Sequence, residues 1–147
     1  MDNLPKVSIC TPTFNRRPFF PYLIKTYNAQ TYPKDKMEWI IIDDGSDKIN
    51  DLVENIEGVK YYSYDRKMTI GKKRNLLNEK SSGEIIIYMD DDDYYPPTRV
   101  EHSVKELMKD KSKLIAASSE MFIYFNKIKK LYKFGPYNKN HGTAATF

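Results

Sequence analysis

The sequence predicts an α/β fold: a mainly parallel central sheet with helices on both faces. Three observations lead there. Short apolar strands alternate with amphipathic helical stretches four times along the chain, the pattern of βαβ units. Two strands, residues 38–42 and 84–89, are nearly unbroken apolar runs, which predicts central positions covered on both faces. Three polar clusters each follow a strand, and an open parallel sheet gathers such segments at one edge, where ligands bind.

Each element has its own signal. Residues 6–11 read as a short buried strand, broken by Pro12 and Asn15. Phe19, Phe20, Leu23, Ile24 and Tyr27 recur at helical spacing. Residues 38–42 form a second strand, ended by Asp43-Asp44-Gly45-Ser46-Asp47. Ile49, Leu52, Val53 and Ile56 predict a second helix closed by Gly58. Residues 59–64 are a third strand, 70–80 a third helix and 84–89 a fourth strand, with Gly83 in the loop before it. Val100, Val104, Leu107 and Met108 mark a fourth helix. Residues 114–117 predict a further strand, and 121–134 a hairpin about Asn126-Lys127.

A chain of 147 residues suits one domain, and 40% hydrophobic residues exclude wholesale disorder. The net charge of +4 fits either a Lys-rich solvated surface or a phosphate-bearing ligand. Basic residues are scattered and the densest charge cluster is acidic, which argues against nucleic acid as a partner. The one cysteine, Cys10, excludes an internal disulfide and reads as a buried structural thiol. Residues 1–6 lack a signal pattern and no apolar run approaches the roughly 20 residues of a membrane span, so a soluble, cytoplasmic domain with no membrane segment is expected.

Most chemistry is expected from Asp90-Asp91-Asp92-Asp93. Adjacent carboxylates repel and do not help folding. In an extended segment Asp90 and Asp92 face one way, Asp91 and Asp93 the other. Two carboxylates on one side suit Mg2+ or Mn2+, which take one or two carboxylates plus phosphate oxygens and water. The bland alternative is an exposed acidic turn. Asp43 and Asp44 either form a turn or accept the N–H of a pyrimidine base. Thr11, Pro12, Thr13 and Asn15 either line a base and ribose or merely cap a strand exit. Lys72, Lys73 and Arg74 either reach phosphates or form a solvated helix start. Tyr94 and Tyr95 stack on a sugar or only pack; His102 reads as a surface residue and His141 as a weak site candidate.

The ordered segments Val7 to Asn15, Ile40-Ile-Ile-Asp-Asp-Gly-Ser46, Gly71-Lys-Lys-Arg-Asn75 and Gly83 to Asp93 resemble family 2 glycosyltransferases. The resemblance runs from about Lys6 to Arg99. It implies the GT-A fold and an inverting, metal-dependent transfer from a nucleotide-sugar donor, a UDP-sugar first of all, to a glycan, protein or lipid acceptor. It implies that Thr11 and its loop contact the nucleoside and that Asp44 binds the uracil edge with Asp43 beside it. Arg74 and Asn75 match a family segment by pattern alone. Asp92 becomes the main metal ligand with Asp90 as partner, while Asp90 or Asp91 faces the ribose or sugar. Asn140 to Thr143 loosely resembles the segment before the acceptor site. The family's catalytic carboxylate has no counterpart: Glu101, Glu106, Asp110 and Glu120 match it poorly. Residues 1–147 are therefore expected to be the donor-binding portion of one GT-A domain, with the acceptor portion incomplete or absent. Two alternatives stand beside this: a donor-binding module without turnover, and a sugar-phosphate nucleotidyltransferase. The second normally carries a Gly-rich loop after its first strand, and residues 11–17 contain no glycine.

Overall fold

A computed structural model describes residues 4–110, 112 and 114–138. Four strands, β1 (Val7–Thr13), β2 (Met37–Asp43), β3 (Val59–Ser63) and β4 (Ile85–Tyr88), form one sheet in the order β3-β2-β1-β4. Every pairing in it is parallel. Helices α1 (Phe20–Asn28), α2 (Asn50–Val53), α3 (Ile70–Lys80) and α4 (Arg99–Met108) link or follow the strands. The alternation and the parallel sheet are as the sequence predicts.

The strand period of two sends alternate residues to opposite faces. On one face, Ile9, Trp39, Ile41 and Ile87 pack with Leu23 and Tyr27 of α1, Val53 of α2 and Val100 and Val104 of α4. Trp39 stacks with Tyr27, centroids 4.9 Å apart, and with Phe20, at 6.3 Å. On the other face, Cys10, Ile40 and Ile42 meet Leu77 of α3. Burial pushes the Cys10 thiol up to about 11 against the lowering effect of its contact with Ser81.

Four expectations need correction. β1 runs through Pro12 instead of breaking there. Its pairing with β4 ends at Cys10, so beyond that point β1 has edge character on one side and a missing N–H costs nothing. Among the described residues β4 ends the sheet instead of lying within it, and its apolar run is covered on both faces. The second helix stops at Val53, and turns carry the chain to Gly58 at φ +79, where a Cβ would lie 2.9 Å from the Tyr27 hydroxyl. Residues 114–117 make only an isolated bridge at Ala117 and no strand, with Leu114 and Ile115 exposed instead of packed as a strand would need. The predicted hairpin forms as β5 (Met121–Phe125) and β6 (Lys130–Phe134), a separate two-stranded sheet. No helix among the described residues is long and apolar enough to cross a membrane.

Glu38 ties the sheet's base together. It is 3% exposed and accepts hydrogen bonds from Ser8 Oγ (2.5 Å), the Ser82 amide (2.6 Å) and Lys60 Nζ (2.7 Å). Burial raises its pKa, but these bonds outweigh it and hold the carboxyl at about 2, below its ordinary 4.5. A depressed folded pKa gives stability that is present above 4.5 and lost as pH falls towards 2. Glu38→Gln should therefore lower stability at pH 7 by about 3 kcal/mol and flatten the acid limb of the curve. Urea unfolding at pH 7 and pH 3 checks this; equal losses at both pH values would contradict it.

Candidate functional site

The strand order reverses direction between β1 and β4, since β2 and β3 extend from one side of β1 and β4 lies on the other. In doubly wound sheets a crevice opens beyond the carboxyl ends of the strands at such a point. A cleft of about 320 Å³ lies there, lined by Pro12 and Thr13 at the end of β1, Phe14 and Arg16 after it, Ile70, Lys73 and Arg74 of α3, and Asp90, Asp91 and Asp92 after β4.

The acidic run does not continue the strand. β4 ends at Tyr88 and residues 91 and 92 form a turn, so the two-sided alternation expected of the aspartates does not hold. Asp91 faces the cleft along with Asp90 and Asp92 because the chain has already left the extended conformation. Thr13 donates to Asp91 Oδ2 at 2.6 Å, and Arg16 reaches Asp91 at 3.8 Å and Asp92 at 3.2 Å. Arg74 lies 3.6 Å from Asp90. Burial is the main cause that raises the carboxyls of Asp90, Asp91 and Asp93 above their ordinary range. Neighbouring aspartate charge adds to it, and Arg74 on Asp90 and Thr13 on Asp91 pull the other way without winning.

Such an undercompensated oxygen cluster fits a hard divalent cation. Among the described residues no three His, Cys, Asp or Glu side chains are grouped to hold a metal by themselves. One or two of these carboxylates would be the protein's share, leaving places for phosphate oxygens and water.

Other expected site residues lie behind the cleft instead of in it. Thr11 is fully buried; its hydroxyl donates to the Met89 carbonyl at 2.7 Å and accepts from Trp39 Nε1 at 2.9 Å, so it ties β1 to β2 and to the segment after β4 and does not line the cleft. Asp43 is also fully buried and accepts from Tyr61 Oη (2.7 Å) and the Gly45 amide (2.9 Å), which makes it a turn former. Asn15 sits at φ 54, a left-handed conformation that Asn tolerates. Its Oδ1 accepts from the amides of Ser46 (2.7 Å) and Asp47 (3.0 Å), stapling the loop after β2 to the loop after β1. Gly45 is required beneath it, because a Cβ would stand 2.5 Å from the Asn15 nitrogen. Asn75 is exposed on α3 and is not among the lining residues.

Asp44 is held from both sides. Its side chain is 0% exposed, with Lys73 Nζ 2.8 Å from one oxygen and the Met68 amide 2.5 Å from the other. The expected uracil contact is not offered while both oxygens are held. Lys73 is thus no solvated helix start: it is buried, also donates to the Thr13 carbonyl at 3.1 Å, and forms part of the cleft wall.

Phe14, Arg16 and Ile70 were not singled out by sequence reasoning. Phe14 carries Lys67 Nζ 4.5 Å from its ring centroid. The signal for Phe14 and Arg16 was their place between Thr13 and the helix; Ile70 carried none beyond helical pattern. Tyr95 packs, with its hydroxyl accepting from the Asp90 amide at 2.8 Å, while Tyr94 is exposed. His102 lies on the surface of α4 as expected. Glu101 accepts from Thr31 Oγ1, Glu106 pairs with Lys109 and Glu120 with Lys133; none of these, nor Asp110, lines the cleft. His141 and residues 140–143 lie outside the described residues.

Comparison with known proteins converges on one family. The pattern of Glycosyl transferase family 2 matches residues 8–144. A Campylobacter jejuni protein named GalNAc(5)-diNAcBac-PP-undecaprenol beta-1,3-glucosyltransferase is 35% identical over 97 residues, covering 61% of this chain and 30% of its own length. Poly(ribitol-phosphate) beta-N-acetylglucosaminyltransferase TarS of Staphylococcus aureus is 29% identical over 94 residues, 60% of this chain and 16% of its own. The TarS 1–349 structure in complex with UDP-GlcNAc superposes with a TM-score of 0.65 at 25% identity, covering 71% of this chain and 31% of that one. A Pyrobaculum calidifontis mannosyltransferase structure reaches a TM-score of 0.72 at 22% identity over 78% of this chain and 35% of that one, a likeness of fold. The chain thus spans well under half the length of these relatives.

Proposed function

The chain belongs to Glycosyl transferase family 2 and has its GT-A fold, and on that footing we propose that it binds a nucleotide-sugar donor, a UDP-sugar, with Mn2+ or Mg2+ and serves its transfer with inversion to an acceptor hydroxyl. The observation that carries the proposal is one cleft holding Asp90, Asp91 and Asp92 together with Arg16, Lys73 and Arg74. Carboxylates and cations side by side suit a ligand that combines a divalent cation with a diphosphate. Similarity to TarS, whose structure is in complex with UDP-GlcNAc, supports the choice of UDP.

In this reading Asp92, helped by Asp90, would hold the cation, which when bound supplies charge neutralisation for the leaving diphosphate. Arg16 and Arg74 orient the phosphates, with Lys73 held by Asp44 in the wall behind them. Pro12, Thr13 and Phe14 line the nucleoside, and Asp91, fixed by the Thr13 hydroxyl, faces the ribose or sugar. Asp44 becomes free to accept from a base N–H only if the Met68 amide gives way. The acceptor, be it glycan, protein or lipid, and the carboxylate that would take its proton are not assigned to any residue.

Thermal unfolding tests the proposal. UDP and MnCl2 together, at a hundredfold excess over Kd, should stabilise the chain by about 2.7 kcal/mol and raise Tm by about 5–10 °C. No shift for UDP, GDP or dTDP with metal refutes it. Pyrophosphate release from a nucleoside triphosphate and a sugar phosphate would instead support nucleotidyl transfer.

A further inference from the structure

Each carboxylate that a cation would need is already held by a guanidinium. Arg16 Nη2 lies 3.2 Å from Asp92 Oδ2 and its Nε lies 3.8 Å from Asp91 Oδ1. Arg74 Nη2 lies 3.6 Å from Asp90 Oδ2. Both heads rest on aromatic faces outside the carboxylate cluster: Arg16 lies 5.1 Å from the Phe19 ring centroid and Arg74 lies 5.2 Å from that of Tyr88. Arg74 Nε is buried and has no hydrogen-bond acceptor among the described residues. A guanidinium cannot lose its charge and cannot share a carboxylate's lone pairs with a cation without repulsion.

We infer that Arg16 is an exchange residue: it holds Asp92 and Asp91 while the cleft is empty and passes to the donor's diphosphate when a cation takes those carboxylates. The inference rests on the donor-binding reading above. Arg16 is suited to the exchange because its side chain is 43% exposed, lines the same cleft and stands on an exposed ring that lets it swing without burial of charge. Its pair with half-exposed Asp92 has the modest strength of an exposed ion pair, and at 3.8 Å its approach to the buried Asp91 is too long for a hydrogen bond, whereas a guanidinium on a phosphate gains charge-assisted, two-pronged hydrogen bonds.

A consequence follows for binding order. Arg16 opposes the cation alone and favours cation and nucleotide together, so it couples the two ligands positively. Mn2+ binding followed by electron paramagnetic resonance, with and without UDP, reads both effects without any turnover. Arg16→Ala should tighten binding of Mn2+ alone by about two- to fivefold, from loss of the competing ion pairs. The same variant should weaken UDP at saturating Mn2+ by about tenfold or more, from loss of a charge-assisted contact. Arg16→Lys, which keeps the charge without the fork, should fall between the two on both measures.

Opposite signs for the two ligands are the signature. A merely structural Arg16 would weaken both, and either that result or an unchanged affinity for Mn2+ alone overturns the inference. Should Arg16→Ala melt well below the parent chain, Arg16→Lys decides by the same signs. Failure of the parent chain to bind Mn2+ even with UDP present would instead remove the donor-binding reading itself.

Discussion

Lys73→Ala is expected to cost about 3–5 kcal/mol of folding stability, the usual result of leaving a buried charge without its partner. The Asp44 side chain has no exposed surface, and Lys73 Nζ at 2.8 Å is its only cationic partner among the described residues. Total stability of a domain is about 5–15 kcal/mol, so this loss decides whether the chain stays folded. The pH dependence gives the mechanism away. Burial raises the Asp44 carboxyl, yet Lys73 and the Met68 amide outweigh it and hold the group below its ordinary 3.8. The parent chain therefore loses this contribution as pH falls through the depressed folded value. In the variant the sign reverses: with Lys73 gone, burial dominates, the carboxyl rises, and protonation on acidification relieves the stranded charge. The gap between the two proteins should narrow as pH falls from 7 to 4, as measured by urea unfolding. Lys73→Met with Asp44→Asn should recover most of the loss, because both charges leave together. A gap that is constant with pH, or a double variant as unstable as Lys73→Ala, would refute this account.

Asp92→Ala carries the second large effect, and it falls on binding, not on folding. The side chain is 45% exposed at the cleft and its one described ionic partner is Arg16. Removing it should leave Tm without ligand within about 1–2 °C of the parent, as for surface substitutions. UDP affinity in the presence of Mn2+ should drop about a hundredfold, equal to about 2.7 kcal/mol, through loss of the main carboxylate proposed to hold the cation. Affinity for UDP in EDTA should hardly change. Isothermal titration of both proteins with UDP, with Mn2+ and with EDTA separates these outcomes. Metal-dependent binding retained at parental strength would move the role to Asp90 or Asp91. The Thr13 hydroxyl already occupies Asp91 at 2.6 Å, so Asp90 is the next residue to substitute.

How far the sequence carried the structure depends on which interaction fixes each part. Strands and helices were legible because period and burial are local properties: the Ile40-Ile41-Ile42 run reads as a buried strand and is one. The edge of the sheet where the cleft opens was legible too, because alternation of strand and helix dictates a parallel topology. Strand order was not: cover by helices and cover by neighbouring strands leave the same apolar run, so β4 reads as central where, among the described residues, it ends the sheet. Within the site, residue types pointed to the loops that form the cleft but not to which side chains face it. Thr11, Asp43 and Asn15 have the chemistry of ligand contacts, and they spend it on the Met89 carbonyl, the Gly45 amide and the Ser46 amide. Their partners lie across gaps of 78, 2 and 31 residues, and the longer of these gaps exist only once the sheet has formed. The sole local case, Asp43 with Gly45, was open as a turn from the start. Lys73 was hidden for the same reason: only the fold brings it to Asp44 across 29 residues.

Cys10 has a use outside the protein's own chemistry. It is the chain's single thiol, lies at 0% exposure in the centre of β1, and its pKa of about 11 leaves almost no thiolate at neutral pH. Maleimide reagents need an accessible thiolate, so the folded chain is blind to them. A cysteine placed at exposed Asn75, one residue from Arg74, would take a fluorophore alone, with no need to delete the native residue and disturb the core. The molecule thus comes ready for a single reporter beside the cleft.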